Sequence, residues 1–366
     1  MVAAAIVAML TPTAASAANF VSGINIESSA VGSTLTDFPV FVDLADMPAV
    51  FWSEVTMSGG DIRIYTDTGV EVPYELASFN KASTSGALYF KAPALSASND
   101  TLFIIHYGDS SRSGYAASAT YGSQNVWKSA YKAVLHLEEE PTGQLLDSTS
   151  NGNHASSTAG AMTADDKIVG AMAGYAVELD GVNDKVEIPD ASSLDWEYND
   201  AFSVTGWVRA GVSAYFPGLL DKVTSQGSNS VGWACLNNTV SGQPDSPMMD
   251  MRSTTNYVAK KVASVDQGLD DNEWHHIACT YSGSGSAADQ NLFADGALIT
   301  STSIVRNNLT SHSILNSTGI DFGDHEVAPN GAFDELRLIE EELSEDWINA
   351  EYLNTSDPSS FYTIYE

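Results

Sequence analysis

Residues Asn272 to Gly296 read NEWHHIACTYSGSGSAADQNLFADG, and this stretch decides the fold class. Its segments HHIACTY and NLFA have the length and apolar content of strands, and serine and glycine residues separate them. The pair Asp295-Gly296 then separates NLFA from ALI, and an Asp-Gly pair suits the positive φ angles of a type I′ turn. The stretch therefore predicts short strands, with a tight hairpin at Asp295-Gly296.

The same pattern extends over residues 126–366, which contain the further strand-like segments AVLHLEE, AVELDG, KVEIPD, FSVTGWVRA, GWACLNN and AFDELRLI. A parallel sheet would need helices between the strands, so the pattern favours a sandwich or jelly roll. One short C-terminal helix is predicted, because Ser344 can cap it and Leu343 and Ile348 can form a hydrophobic staple. We expect this helix to end near Asn354.

Residues 19–110 form a second run of strand-like segments, which are FPVFVDL, DIRIYT, ALYFKAP and TLFIIHY. No helical period competes with them. Residues 111–125 lose the pattern in favour of Ser, Gly, Ala and Tyr, which is typical of a linker. The chain is therefore predicted to be all-β, with two β-sandwich domains at residues 19–110 and 126–366.

Several motifs of the second domain resemble those of concanavalin A-like jelly rolls of the laminin-G type. In chain order they are LDGVNDKVEIP, FSVTGWVRA, NEWHHIACTYSG with LFADG, and FDELRLIEEELSEDWINAEYLN. The resemblance implies a concanavalin A-like jelly roll. It does not imply one activity, because this scaffold hosts lectins, adhesion modules and enzyme appendages. The first domain resembles the domain of unknown function that precedes laminin-G-like modules in exported bacterial and archaeal proteins.

Residues 1–18 are interpreted as a signal peptide. An apolar run is followed by Ala15-Ser16-Ala17, which fits the small-x-small rule of a cleavage site, although no basic residue precedes the run. No other apolar stretch approaches the ~18 residues of a membrane span. We therefore expect an exported protein that is extracellular, periplasmic or on the cell surface, with no transmembrane span.

The charge balance limits the possible partners. The chain has 47 Asp and Glu against 15 Lys and Arg, which gives a formal net charge of −32. Such a chain repels polyphosphate backbones and anionic membranes at long range. Nucleic acid is therefore not an expected partner.

The chain has two cysteines, Cys235 and Cys279, and each lies in an apolar strand-like segment. They can form a disulfide if their strands are neighbours, and otherwise they are buried thiols. The sequence leaves both possibilities open.

No catalytic residue is predicted, because the chain lacks the common nucleophile, zinc-protease and nucleotide-binding motifs. Glycan hydrolysis on this scaffold usually needs two carboxylates on one strand face. Asp334 and Glu335 are adjacent, so strand alternation predicts that they point to opposite faces. Glu138 and Glu140 would share a face, but a solvated acidic strand end is the ordinary interpretation of that run.

Calcium is the predicted ion, structural or ligand-bridging, because laminin-G-like relatives often bind it at one rim of the sandwich. Asp180, Asn183 and Asp184 offer three oxygen-bearing side chains within one turn, and Asp334 is a further candidate ligand. The alternative is that Asp180 and Asp184 only make hydrogen bonds of the Asx-turn type.

Carbohydrate binding would need aromatic faces beside hydrogen-bonding groups. The candidates in loop-like stretches are Trp196, Tyr198, Tyr215 and Tyr257. These residues do not cluster in the sequence, and each of them can instead be a packing residue.

The leading hypothesis is a secreted or cell-surface binding or adhesion protein that recognises a glycan or a cell-surface protein through its second domain. The second hypothesis is a structural subunit of an envelope assembly or filament, which would self-associate. The third is a glycan-active hydrolase with a non-standard carboxylate pair.

Overall fold

The computed structural model describes residues 20–157, 162–172, 174–211, 218–225, 230–238, 246–254, 257–323 and 330–366. The chain divides into two compact units. The first unit comprises Met1–Val126 and Leu353–Glu366, and the second comprises Trp127–Tyr352. Both consist mainly of antiparallel β-sheets, which confirms the predicted all-β class. The predicted signal peptide lies outside the described residues.

The first unit pairs two antiparallel sheets. Its strands are β1 (Phe20–Ile26), β2 (Leu35–Asp43), β3 (Arg63–Thr66), β4 (Glu71–Val72), β5 (Tyr74–Asn80), β6 (Ser85–Leu95), β7 (Thr101–Tyr107) and the C-terminal β25 (Tyr362–Tyr365). Within the described residues, one sheet has the order β25-β1-β7-β3-β4 and the other the order β2-β6-β5. Strand β7 coincides with the predicted segment TLFIIHY.

The first unit contains a short helix that the strand pattern of the sequence does not predict. Helix α1 (Ala49–Glu54) begins after Pro48 and buries Phe51 and Trp52. A helix of six residues completes fewer than two turns, so it leaves no helical period for sequence analysis to detect.

The C-terminal residues correct the predicted domain boundary, which assigned all of residues 126–366 to the second domain. Strand β25 pairs antiparallel with β1 and extends the first unit's five-stranded sheet. The Asn354 side chain accepts a hydrogen bond from the Phe41 amide at 2.7 Å and donates one to the Phe41 carbonyl at 2.8 Å. Residues 353–366 therefore complete the first unit, because an edge strand can be supplied from anywhere in the chain.

The predicted linker at residues 111–125 is part of the first unit and packs on its strands. Arg63 Nη2 donates to the Ser113 carbonyl at 2.9 Å, and the Tyr74 amide donates to the Tyr121 carbonyl at 3.3 Å. Glycine and serine in this segment allow tight turns and close backbone approaches. The same residue types are common in flexible linkers, so the segment has the composition of a linker.

The second unit also pairs two sheets. Its strands are β8 (Tyr131–Leu135), β9 (Gln144–Leu145), β10 (Ala155–Ser157), β11 (Lys167–Val169), β12 (Tyr175–Asp180), β13 (Val186–Ile188), β14 (Phe202–Gly211), β15 (Gly218–Val223), β16 (Gly232–Asn238), β17 (Ser246–Thr254), β18 (Tyr257–Ala263), β19 (Asp271–Tyr281), β20 (Gln290–Ala294), β21 (Ala297–Leu298), β22 (Thr302–Asn307), β23 (Ile320–Phe322) and β24 (Asn330–Ile339). In the described part of the chain, the nine-stranded sheet has the order β22-β18-β17-β16-β15-β23-β13-β10-β9. The facing sheet has the order β11-β12-β24-β14-β19-β20-β21, with β8 beside β24.

The apolar core of the second unit lies between these sheets and contains the stacked rings of Trp196, Phe202 and Trp233. Cys235 of β16 and Cys279 of β19 form a disulfide with their Cα atoms 6.0 Å apart. Of the two possibilities that the sequence left open, the structure therefore has the disulfide, and it links the two sheets.

Two local predictions in the second unit are confirmed. Strands β20 and β21 form a hairpin in which Asp295 and Gly296 have φ angles of 48° and 74°, as a type I′ turn requires. The C-terminal helix is α2 (Glu345–Ser356), and the Trp347 amide donates to Ser344 Oγ at 3.2 Å. A third helix, α3 (Pro358–Phe361), follows it. None of the helices in the described residues is long and apolar enough to span a membrane.

Candidate functional site

A row of charged residues crosses the outer face of the nine-stranded sheet, which is the face turned away from the core. The register places these residues directly opposite one another in the order Glu187, Asp321, Asp221, Ala234, Asp250, Lys260 and Arg306. The core contains Leu220 before Asp221 and the residues on both sides of Asp250 and Asp321, so alternation turns these carboxylates to the other face of the sheet. On that face the three carboxylates are still buried, at 0%, 6% and 5% exposed for Asp221, Asp250 and Asp321. The row therefore places three acidic residues at one end and two basic residues at the other.

An apolar row runs beside the charged row on the same outer face. Leu236, Met248 and Val262 oppose one another across three neighbouring strands. They belong to a small apolar cluster, separate from the main core, that also contains Val223 and Ala234. The outer face is thus amphipathic, with an apolar strip next to a strip of hydrogen-bonding groups.

The middle of the charged row is held in place by ion pairs. Arg252 Nε lies 3.0 Å from both carboxylate oxygens of Asp250, and Lys260 Nζ lies 3.6 Å from Asp250 Oδ2. The Asp250 side chain is only 6% exposed, whereas those of Arg252 and Lys260 are 28% and 17% exposed. The two cations therefore face solvent above a buried carboxylate.

A second group of titratable residues lies on the outer face of the other sheet and contains His136, Glu138, Asp334 and Glu335. We call these four residues the carboxylate cluster. His136 Nδ1 and Glu335 Oε1 are 2.6 Å apart. Asp334 accepts a hydrogen bond from the Ala171 amide at 2.8 Å, and Glu138 accepts one from the Tyr175 amide at 3.2 Å.

The prediction that Asp334 and Glu335 point to opposite faces is wrong because strand β24 contains a β-bulge. Thr205 opposes Arg337 while Trp207 opposes Asp334, so β24 has one extra residue over this interval. Glu335 has a φ of 50°, and the bulge interrupts the alternation. Both carboxyls are buried and close enough to interact electrostatically.

The surroundings of the carboxylate cluster raise the pKa values of some of its members and lower that of another. Burial and the nearby Glu335 charge raise the pKa of Asp334 well above its usual value. Burial also raises the pKa of Glu138 to about 7. The pKa of Glu335 is lowered, because its interactions with His136 and Arg337 more than offset the effect of burial. Neutral and ionised carboxyl groups therefore lie side by side at neutral pH, as in acid–base sites.

We expect the substitution Glu138→Gln to stabilise the protein at pH 8. Folding raises the pKa of this carboxyl, so the native state binds the proton more tightly than the unfolded state does. The free energy of unfolding therefore falls as pH rises from about 4.5 to about 7, because the carboxyl must then lose its proton in the native state. Because Glu138 is partly exposed, we expect a gain of about 1–2 kcal/mol at pH 8 and almost none at pH 4.5. Urea unfolding at both pH values measures the difference, and an equal gain at both would contradict the pKa assignment.

The described members of the predicted carbohydrate-binding set differ in burial. Trp196 is 2% exposed and stacks on Phe202 with 4.7 Å between ring centroids, so it is a core residue and its prediction as a ligand-stacking residue is corrected. Tyr198 is partly buried against the same core. Tyr257 is 38% exposed and stacks on His312, and Tyr215 lies outside the described residues.

The predicted calcium ligands form the hydrogen bonds of a turn. Asp180 Oδ1 accepts from the amides of Val182 and Asn183 at 2.8 and 3.3 Å, and Asp184 Oδ2 accepts from the Asp180 amide at 2.9 Å. Asp334 is engaged with Ala171 in the carboxylate cluster. Among the described residues, no group of three or more His, Cys, Asp or Glu side chains is placed to hold a metal ion. These four residues therefore do not form one such group, and calcium binding stays a prediction.

Comparison with protein families gives a match within the second unit. Residues 180–349 match the sequence model of the concanavalin A-like lectin/glucanases superfamily, laminin-G type, which confirms the predicted resemblance. No curated protein matches the chain.

Three solved structures illustrate the structural similarity. The binding domain of Paraclostridial Mosquitocidal Protein 1 aligns with a TM-score of 0.46 and 16% identity over 61% of this chain and 52% of that domain. The binding domain of botulinum neurotoxin serotype D aligns with a TM-score of 0.44 and 14% identity over 61% of this chain and 51% of that domain. Domain 4 of AbnA, an extracellular arabinanase from Geobacillus stearothermophilus, aligns with a TM-score of 0.41 and 16% identity over 60% of this chain and 96% of that domain. The alignment thus spans about half the length of the two toxin domains.

Proposed function

Because residues 180–349 carry a concanavalin A-like domain, we propose that the protein is an exported, non-catalytic binding protein. Its second unit recognises carbohydrate, presented as a free glycan or on a cell-surface partner, at the outer face of the nine-stranded sheet. The observation that carries this proposal is the charged row beside the apolar row on that face.

The two rows match the chemistry of a saccharide. A sugar ring has apolar C–H faces and a rim of hydroxyl groups, and recognition needs an apolar contact together with well-placed hydrogen-bonding groups. Leu236, Met248 and Val262 supply the apolar strip and are 5–9% exposed. On the same face, the partly exposed Arg252 and Lys260 supply hydrogen-bond donors for sugar oxygens.

The disulfide supports the exported location. Disulfides persist in oxidising compartments and are rare in the cytosol. The link between Cys235 and Cys279 therefore favours a protein that works outside the cytoplasm.

We expect Arg252→Met to weaken glycan binding by about tenfold or more, because it removes a partly exposed hydrogen-bond donor beside the charged row. Binding is measured on a panel of immobilised glycans, in calcium and in chelator, so that the predicted calcium dependence is tested at the same time. Lys260→Met tests the basic end of the charged row.

The matched control is Arg209→Met, which removes an equally exposed arginine from the facing sheet of the same unit. Melting temperatures of all variants establish that they fold. The proposed function would be contradicted if the parent protein bound neither a glycan nor a cell-surface fraction, both in calcium and in chelator.

Glycan hydrolysis is the second candidate function, and the carboxylate cluster favours it. Glu138 is the partly exposed member, and its pKa of about 7 suits a general acid near neutral pH. The buried, ionised Glu335 would supply the charged partner. Release of reducing sugars from polysaccharides, abolished by Glu138→Gln in a variant that remains folded, would establish this activity, and no release would leave binding as the function.

A further inference from the structure

The first unit contains a cleft with a volume of about 450 Å³ that no part of the proposed function uses. Its walls come from the turn at residues 58–60, from the start of strand β5, and from residues 114–123. Ligand pockets for small molecules have volumes of roughly 300–1,000 Å³, so the cleft has room for one or two sugar rings.

The aromatic wall of the cleft is held in a fixed orientation. Tyr115 is 36% exposed, and its hydroxyl donates to Glu71 Oε1 at 2.7 Å. The Arg63 guanidinium carbon lies 4.1 Å from the centroid of the Tyr115 ring, and Arg63 Nε lies 3.6 Å from Glu71 Oε1. The ring is therefore oriented by a cation against its face and by an acceptor at its hydroxyl group.

The buried Arg63 also ties two walls of the cleft together. Its Nη1 donates to the Gly60 carbonyl at 3.0 Å, and its Nη2 donates to the Ser113 carbonyl at 2.9 Å. A Cβ atom at Gly60 would lie 2.8 Å from the Gly114 amide nitrogen, so these two backbones pack too closely for a side chain. The cleft is thus preorganised, which lowers the entropic cost of binding.

The polar groups of the cleft suit a neutral ligand that is rich in hydroxyl groups. Of the described residues that line it, Glu75 alone carries a charge, and the lining also contains the hydroxyl-bearing Ser58 and Ser123. Arg63 is engaged with Glu71 behind the Tyr115 ring and supplies no separate cation. A carboxylate in the lining disfavours phosphate, sulfate or uronate groups, whereas it accepts hydrogen bonds well from sugar hydroxyls.

We propose that this cleft is a saccharide-binding site of the first unit, and that it takes a neutral mono- or disaccharide. The sugar ring packs on Tyr115, and Glu75 accepts hydrogen bonds from its hydroxyl groups. The site is separate from the outer face of the nine-stranded sheet, because every residue that forms it belongs to the first unit.

The test uses the full chain and saturation-transfer NMR with glucose, galactose, xylose and cellobiose as neutral probes, and with glucuronate and glucosamine as charged probes. We expect at least one neutral probe to bind, and Tyr115→Ala and Glu75→Gln each to weaken it by about tenfold or more. Tyr115→Phe retains the ring and should keep most of the affinity. Ala117→Trp, which fills the cleft from its wall, should abolish binding.

The matched control is Tyr175→Ala in the second unit. Tyr175 is also exposed, at 47%, and its ring also contacts a cation, Lys167 Nζ, at 4.2 Å. This variant should bind the neutral probe as the parent does. Three results would each overturn the proposal. The first is binding that survives both Tyr115→Ala and Ala117→Trp in folded protein. The others are stronger binding of glucosamine than of any neutral probe, and no binding of any probe.

Discussion

Replacement of both Cys235 and Cys279 by alanine is expected to lower the free energy of unfolding of the second unit by about 4 kcal/mol, because loss of the cross-link restores chain entropy to the unfolded state. The disulfide closes a loop with a sequence separation of 44 and links the two sheets. Urea unfolding followed by tryptophan fluorescence measures the change. Six of the seven tryptophans lie in residues 127–352, so this signal reports mainly on the second unit.

The control for the cysteine variant is treatment of the parent protein with a reductant. The chain has two cysteines, so a reductant has one disulfide to break. We expect the reduced parent to resemble the double variant, and the double variant to be insensitive to reductant. A loss of less than about 1 kcal/mol would show that the cross-link constrains little of the unfolded chain.

Replacement of Arg337 by methionine is expected to cost about 3–5 kcal/mol at pH 7, because it leaves two buried carboxylates without their cation. Arg337 lies 3.2 Å from both Glu335 and Glu351, and all three side chains are 6% exposed or less. Glu351 also accepts from Thr205 at 2.7 Å and lies 3.3 Å from His276. Arg337 is thus the central cation of a buried polar network.

The cost of Arg337→Met should depend on pH. Although burial raises the pKa of Glu351, its interactions with Arg337 and His276 lower that pKa to about 2. A depressed carboxyl pKa stabilises the fold above the ordinary value of about 4.5, and this contribution is lost as pH falls toward 2. The difference between parent and variant should therefore be largest near neutral pH and shrink below about pH 4.

The matched control is Arg209→Met, on a neighbouring strand of the same sheet. Arg209 is 28% exposed, and its partner Glu178 at 3.2 Å is 47% exposed. Exposed pairs of this kind contribute about 0–1 kcal/mol. A similar cost for the two arginine variants would contradict the buried network, and a double-mutant cycle with Glu351→Gln measures the coupling directly.

Local features of the fold could be predicted from sequence because neighbouring residues cause them. The Asp295-Gly296 turn depends on two adjacent residues that tolerate positive φ, and the cap of helix α2 depends on Ser344 and the amide three residues later. Strand β7 appears in the sequence as one apolar run with turn formers on both sides.

The candidate sites were harder to predict because they combine distant residues. Asp221, Asp250 and Asp321 are each the one acidic residue of a largely apolar strand, which is a detectable signal. Only the order of the strands places them in one row. Asp334 and Glu335 were assigned to opposite faces because alternation assumes a regular strand. The bulge at Glu335 depends on the pairing of β24 with β14, which the sequence of β24 alone does not reveal.

The sequence by itself determined the all-β class, the Asp295-Gly296 hairpin, the helix capped by Ser344 and the concanavalin A-like identity of residues 180–349. These depend on local propensity and on motif order along the chain. The tertiary structure alone decided that Cys235 meets Cys279, that Trp196 lies in the core, and that residues 353–366 complete the first unit. The physical reason is that burial and pairing depend on which strands become neighbours in space, and separation along the chain does not specify this.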